Sequence, residues 1–284
     1  SVVVTDGSVL ENENIYHVFS FAEQDRWVEL GKGFVAPRNS LRSFRLELKA
    51  FSSNGKVIVY ADPEADIWIY SRAASPLPKP AGYDGPDGYF EYLQTVRPEG
   101  EHGDAFHYKT INTDALGWII SRVSGLEVTE LLSDRIWRRM GAEQDAYMTV
   151  DGKGVPFAGG GLSAGLRDLG RIGLLMLGEG VINGERLFPA DAVVNIRRGG
   201  SKSAFAKAGY STLEGGSYRG MWWLFHNENG AYAARGVHGQ TIYVDPTADM
   251  VIVRFASFPT AKNGKIDPTS LPAYAAVAEY LLSK

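Results

Sequence analysis

Met221-Trp222-Trp223-Leu224-Phe225-His226, then Asn227-Glu228-Asn229-Gly230, then Ala231-Tyr232-Ala233-Ala234-Arg235-Gly236, is the stretch on which the fold turns. Two aromatic and apolar runs flank a short segment ending in Asn-Gly, residues that tolerate positive φ, so the stretch reads as a β-hairpin. Adjacent positions on a strand point to opposite sides, so the Trp222 and Trp223 rings divide between a core and a pocket floor. Downstream, Thr241–Val244 and Met250–Phe255 flank Asp245-Pro246-Thr247-Ala248-Asp249 and read as a second strand pair. Both strands are β-branched and apolar, as fits a sheet covered by helices. Pro272–Leu282 reads as a helix that follows the sheet.

Working upstream, the period changes from two to 3.6. Asn112 or Thr113 caps a helix with the stripe Leu116, Ile119, Ile120 and Val123, ended by Gly125. A second helix is expected over Val128–Met140. Gly159-Gly160-Gly161 reads as a flexible approach to Ser163, the N-cap of a third helix carrying Leu166, Leu169, Ile172 and Leu175. Ala190–Arg198 is a fourth. Residues 75–104 contain Pro76, Pro78, Pro80, Pro86 and Pro98, which exclude a continuous helix. Their aromatics, Tyr83, Tyr89, Phe90 and Tyr92, argue for a packed loop; a carbohydrate- or peptide-binding surface is the least favoured reading of them. Residues 1–57 are less regular. Strands are expected at Val2–Thr5, Tyr16–Ala22 and Lys56–Tyr60, a loop over Gly31–Asn39, and helical spacing in Leu41, Phe44, Leu48 and Phe51.

The chain has 284 residues, net charge −4 and no cysteine. Disulfides and thiolate metal sites are therefore excluded. Without clustered Lys and Arg, nucleic acid is not an expected partner. No apolar run approaches a membrane span, and no secretory signal is visible, so the expectation is a cytoplasmic protein with no membrane partner. His17, His102, His107, His226 and His238 form no metal-ligand spacing, and no glycine loop fits a phosphate cradle. No cofactor or metal is expected.

Acyl transfer is better supported. A serine nucleophile needs a base, oxyanion donors and a substrate platform. Ser-x-x-Lys on one helix face would supply the nucleophile and its base, and only Ser53-Asn54-Gly55-Lys56 fits. Such a pair arises about once by chance in a chain of this composition. The run Val57-Ile58-Val59 favours a strand, which would put Ser53 and Lys56 on opposite faces. Ser40 is a rival without an amine three residues on. Tyr108, at a loop-to-helix junction beside Lys109, could serve as a phenolate or a proton shuttle, or could be a half-buried strand tyrosine. Gly236-Val237-His238-Gly239-Gln240 could present the Val237 N–H to a pocket, or could be a tight bulge with His238 merely hydrogen-bonded.

Together with Tyr60-Ala61-Asp62-Pro63-Glu64-Ala65-Asp66-Ile67-Trp68 and Phe106-His107-Tyr108-Lys109-Thr110-Ile111-Asn112-Thr113-Asp114, these motifs resemble the 6-aminohexanoate-dimer hydrolase branch of the class C β-lactamase-like serine hydrolases. The order of the motifs over residues 58–284 carries the resemblance. It implies an α/β (α+β), β-lactamase/transpeptidase-like fold: one domain over 1–284, an antiparallel sheet flanked by helices, and a helical region. It implies hydrolysis of a small-molecule amide or ester through an acyl-enzyme. Tyr108 would take the place of the family's catalytic tyrosine. Val237 would complete the oxyanion hole, Trp223 and His238 would line the substrate site, and Tyr60 would lie on a loop over it. Ser53 and Lys56 carry over by motif alone. The family places a further helical stretch between its Ser-x-x-Lys and the segment at 60–68, whereas here Lys56 stands four residues before Tyr60. Residues 1–57 are therefore read as an aberrant or truncated part, and a catalytically inactive, ligand-binding homologue or partial gene product is the alternative. The oligomeric state is open, a homodimer included.

Overall fold

The computed structural model describes residues 79, 81–96 and 103–284 in full, and segments 2–10, 13–22, 26–37, 47–51 and 56–60 as backbone strands. It divides into two compact units, residues 1–94 with 150–155, and residues 95–149 with 156–284.

In the first unit, β1 (Val2–Leu10), β2 (Glu13–Ala22) and β3 (Arg26–Pro37) form an antiparallel sheet, and β4 (Glu47–Phe51) pairs with β5 (Lys56–Tyr60). The strands expected at 2–5, 16–22 and 56–60 are present. The loop expected over Gly31–Asn39 is instead strand as far as Pro37. Gly33 is the extra residue where the register slips between Tyr16 and His17, so this glycine marks a bulge and not a break. Helical spacing through Leu48 and Phe51 also gives way to strand, because β4 pairs along its whole length with the β-branched Val57-Ile58-Val59 run; residues 40–46 lie outside the described residues. A short helix, α1 (Tyr89–Thr95), sits among the prolines of the 75–104 segment. Asp151 folds the loop beside it, its buried carboxylate accepting from the Tyr89, Lys153 and Val155 amides at 2.9, 2.8 and 2.9 Å.

The second unit is built on a five-stranded antiparallel sheet in sequential order: β10 (Ser217–Arg219), β11 (Trp222–Leu224), β12 (Tyr232–Arg235), β13 (Thr241–Asp245) and β14 (Met250–Arg254). One face packs Trp222, Leu224, Tyr232 and Val244 against Met176 of α4 (Leu166–Leu177) and Val193 of α5 (Ala190–Arg197). The other packs Ala231, Ala233, Tyr243 and Met250 against Tyr274 and Ala278 of α7 (Asp267–Leu282). Helix α4 lies so close that a Cβ on Gly173 would come within 2.3 Å of Val251 Cγ1.

Helix α2 (Thr110–Ser124) starts two residues before the expected cap and ends at Gly125, which takes φ 72°. The expected helix over Val128–Met140 is an α-turn, α3 (Val128–Leu132), continued by a π-turn over Ser133–Trp137. Ser163 is not an N-cap. It belongs to a two-residue strand, β7 (Leu162–Ser163), paired with β6 (Tyr147–Met148), and Gly165 caps α4. Nor is the triple glycine a flexible approach. A Cβ on Gly159 would meet Thr110 Cγ2 at 2.4 Å and one on Gly161 would meet Thr149 Oγ1 at 2.3 Å, so these glycines permit close packing. Helix α7 begins five residues before Pro272, with Pro268 in its first turn, where a missing N–H costs little. The remaining elements are the hairpin β8 (Val181–Ile182) and β9 (Glu185–Arg186), and the short helix α6 (Lys202–Ala206). Among the described residues no helix is long and apolar enough to cross a membrane.

Candidate active site

The extended segment before α2 is held in place by the Phe106 amide, which donates to Ala204 O at 3.0 Å, and by the Phe106 ring, stacked on Phe205 at 5.3 Å. Two residues on, Tyr108 lies on Trp223, ring centroids 5.8 Å apart and planes at 19°. Tyr218 meets Tyr108 edge-on at 5.9 Å. Trp223 is 8% exposed and Tyr108 45%, so a buried indole floors a half-exposed phenol. Offset stacking of this kind adds about 0.5–1.5 kcal/mol beyond area burial and fixes the ring plane.

The Trp223 ring also meets a cation. The Arg235 guanidinium lies 5.4 Å from the indole centroid and pairs with Asp267, both side chains under 10% exposed. Thr212 Oγ1 donates to the second carboxylate oxygen at 2.6 Å. Tyr210 and Tyr218 close the edges of the indole at 5.1 and 5.2 Å. Alternation places Arg235 on the face shared by Ala233 and Trp223, so the sheet register alone brings cation and indole together.

Burial pushes the Tyr108 phenol above its ordinary value. Burial, followed by the neighbouring Tyr108, does the same to Tyr210 and Tyr218. A phenol shifted this way stays protonated at neutral pH, which favours the proton-shuttle role over a standing phenolate.

Val237 follows Arg235 by two residues, in a 3₁₀ turn over Val237–Gly239. Its side chain is exposed, and its amide donates to no acceptor among the described residues. His238 adopts φ 58°, with Nδ1 2.7 Å from Phe258 O and its own amide donating to Ala261 O at 3.2 Å. Its ring is thus engaged with the 258–261 loop. Lys56 and Tyr60 open and close β5 in the first unit, and Ser53 lies outside the described residues. The structure therefore brings Tyr108 and Trp223 together, with Val237 and His238 on the turn just past Arg235. Phe106, Tyr210, Tyr218, Arg235 and Asp267 were not marked by the sequence. Arg235 alone carried a signal, being two residues past Ala233 on the Trp223 face.

The site thus joins a phenol on an aromatic pedestal to the turn between β12 and β13, on an antiparallel sheet covered by helices. The chain belongs to the β-lactamase family, whose sequence model matches residues 70–275. Within that family it is 39% identical over 201 residues to the 6-aminohexanoate-dimer hydrolase of Paenarthrobacter ureafaciens, covering 70% of this chain and 50% of that protein. Among solved structures it resembles a Bacillus anthracis protein provisionally named a 6-aminohexanoate-dimer hydrolase, with TM-score 0.69, 32% identity, and coverage of 84% of this chain and 59% of that one. A β-lactamase from Mycobacterium bovis shares the fold, with TM-score 0.50 at 17% identity over 64% of this chain and 67% of that one. The chain spans about half the length of the curated relative it matches.

Proposed function

We propose that this chain hydrolyses small amides or esters through an acyl-serine intermediate, with linear 6-aminohexanoate-type oligomers as the first substrate class to test. The observation that carries the reading is the half-exposed Tyr108 phenol held on buried Trp223, in a chain 39% identical to a hydrolase named for that dimer. In this mechanism a serine Oγ attacks the carbonyl carbon. Tyr108 passes the serine proton to the departing amine or alcohol, and the Val237 N–H donates to the developing oxyanion. Water then cleaves the acyl-serine ester. Ser53 and Lys56 are the candidate nucleophile and base by motif.

The test is incubation with the 6-aminohexanoate dimer and with short esters, alongside a fluorophosphonate probe read by peptide mass spectrometry. The expected result is product release and labelling of one serine; the absence of both hydrolysis and labelling would refute the proposal. Lys56→Ala is expected to abolish turnover, and retained turnover would remove Lys56 from the mechanism.

A second reading is a ligand-binding homologue without turnover. It is favoured by a family match that begins at residue 70, after Ser53 and Lys56, and by Lys56 opening a strand instead of lying on a helical turn. It predicts ligand binding by calorimetry with no acylation burst in a single-turnover assay.

A further inference from the structure

We propose that Asn263 is a positioning residue for the oxyanion donor, acting through the Gly236–Val237 peptide unit; this rests on the hydrolase reading above. Asn263 Nδ2 donates to Gly236 O at 3.0 Å. The Gly236 carbonyl and the Val237 N–H belong to one planar trans peptide, in which the C=O and N–H point in opposite directions. Fixing the carbonyl toward Asn263 therefore aims the Val237 N–H the other way, away from the 263 segment. The same bond also draws electron density to the carbonyl oxygen and makes the attached N–H a stronger donor.

The rest of the turn is held at its other carbonyls. Val237 O accepts from the Gln240 amide at 3.4 Å and His238 O from the Phe258 amide at 3.0 Å. Gly239 O accepts from Arg254 Nε at 3.0 Å and from Thr241 Oγ1 at 3.3 Å. These bonds grip peptide units whose N–H groups belong to His238, Gly239 and Gln240. Among the described residues, only the Asn263 bond lies in the same peptide unit as the Val237 amide. Gly236 O is an acceptor, so the group facing it must be the amide NH₂, and Asn263 Oδ1 is left buried with no partner among the described residues. The side chain thus keeps a buried, unpaired oxygen while it holds this one carbonyl. Asn263 itself sits in a 3₁₀ turn closed by Ile266 N donating to Asn263 O at 2.8 Å, which ties it to the start of α7.

The test uses ¹⁵N-labelled full chain, with Asn263→Ala and the near-isosteric Asn263→Asp, followed by the Val237 amide cross-peak and by steady-state kinetics. Both variants lose the donor. The Val237 cross-peak is expected to move while that of Ala233, in the core of β12, stays. The kcat is expected to fall about tenfold with KM within about twofold, less than the 10²–10³ seen when an oxyanion donor is removed outright. A stationary Val237 cross-peak would overturn the proposal. So would a moved cross-peak with unchanged kcat. If the unaltered chain shows no turnover, the hydrolase reading fails by itself, and the cross-peak still decides whether Asn263 aims this amide.

Discussion

Tyr108 shows how one side chain's surroundings set its chemistry. Stacking on Trp223 fixes its plane, and burial keeps its proton on at neutral pH, so it is suited to pass a proton within a reaction cycle. Tyr108→Phe keeps the stacked ring and loses the hydroxyl. We expect kcat to fall by about 10²–10⁴, the range of general acid–base assistance, with Tm nearly unchanged; a marked drop in Tm would show that the phenol is structural. Asp267 makes a different prediction. It neutralises buried Arg235 beside the indole, so Asp267→Ala leaves a cation without its carboxylate partner. Breaking a buried pair from one side costs about 3–5 kcal/mol, measurable by denaturant unfolding. A cost below about 1 kcal/mol would mean that Arg235 reaches water.

At the scale of elements, the sheet and its covering helices were legible because each follows a local rule. The Asn-Gly turn, β-branched alternation and the stripe Leu166–Leu175 all lie within single segments. What was not legible depends on distant partners. Trp223 is picked out only once Tyr108 is seen to lie on it, and Arg235 only once Asp267 and the Trp223 ring are seen beside it. The triple glycine misled because glycine serves flexibility and close packing alike, and only the Thr110 and Thr149 contacts distinguish them. The same argument applies to Gly173. Gly173→Ala would drive a methyl group into Val251 and is expected to destabilise by about 1–3 kcal/mol despite alanine's better helix propensity. A stabilised variant would mean that α4 can lift from the sheet. The loop before α6 is tied to β10 by Ser217, whose Oγ accepts from the Gly200 amide at 3.2 Å and lies 2.7 Å from His226 Nε2. Burial, and then Lys202, hold His226 below its ordinary value. A depressed histidine contributes stability above its unfolded pKa of about 6.5 that is lost as pH falls toward the folded value. Tm should therefore drop on acidification below about pH 6.5, and His226→Gln should remove that step.

For the molecule as a whole, buried phenols set the response to alkaline pH. Burial raises Tyr232 and Tyr243 to about 12, and Tyr218 further. A raised pKa means that stability is full below the unfolded value near 10 and is lost as pH rises through the folded values. The sheet should thus lose stability steeply between about pH 10 and pH 12 in a thermal melt series. The family was legible in the order of short motifs, since they are spread along the chain and each is read locally. The nucleophile was not, because Ser-x-x-Lys has meaning only on a helical turn and Lys56 opens a strand. Fluorophosphonate labelling of the intact chain and of Tyr108→Phe, timed by mass spectrometry, tests the account most directly. It predicts one labelled serine, labelled much more slowly in the variant. No labelled serine, or labelling at the same rate in both proteins, would contradict it.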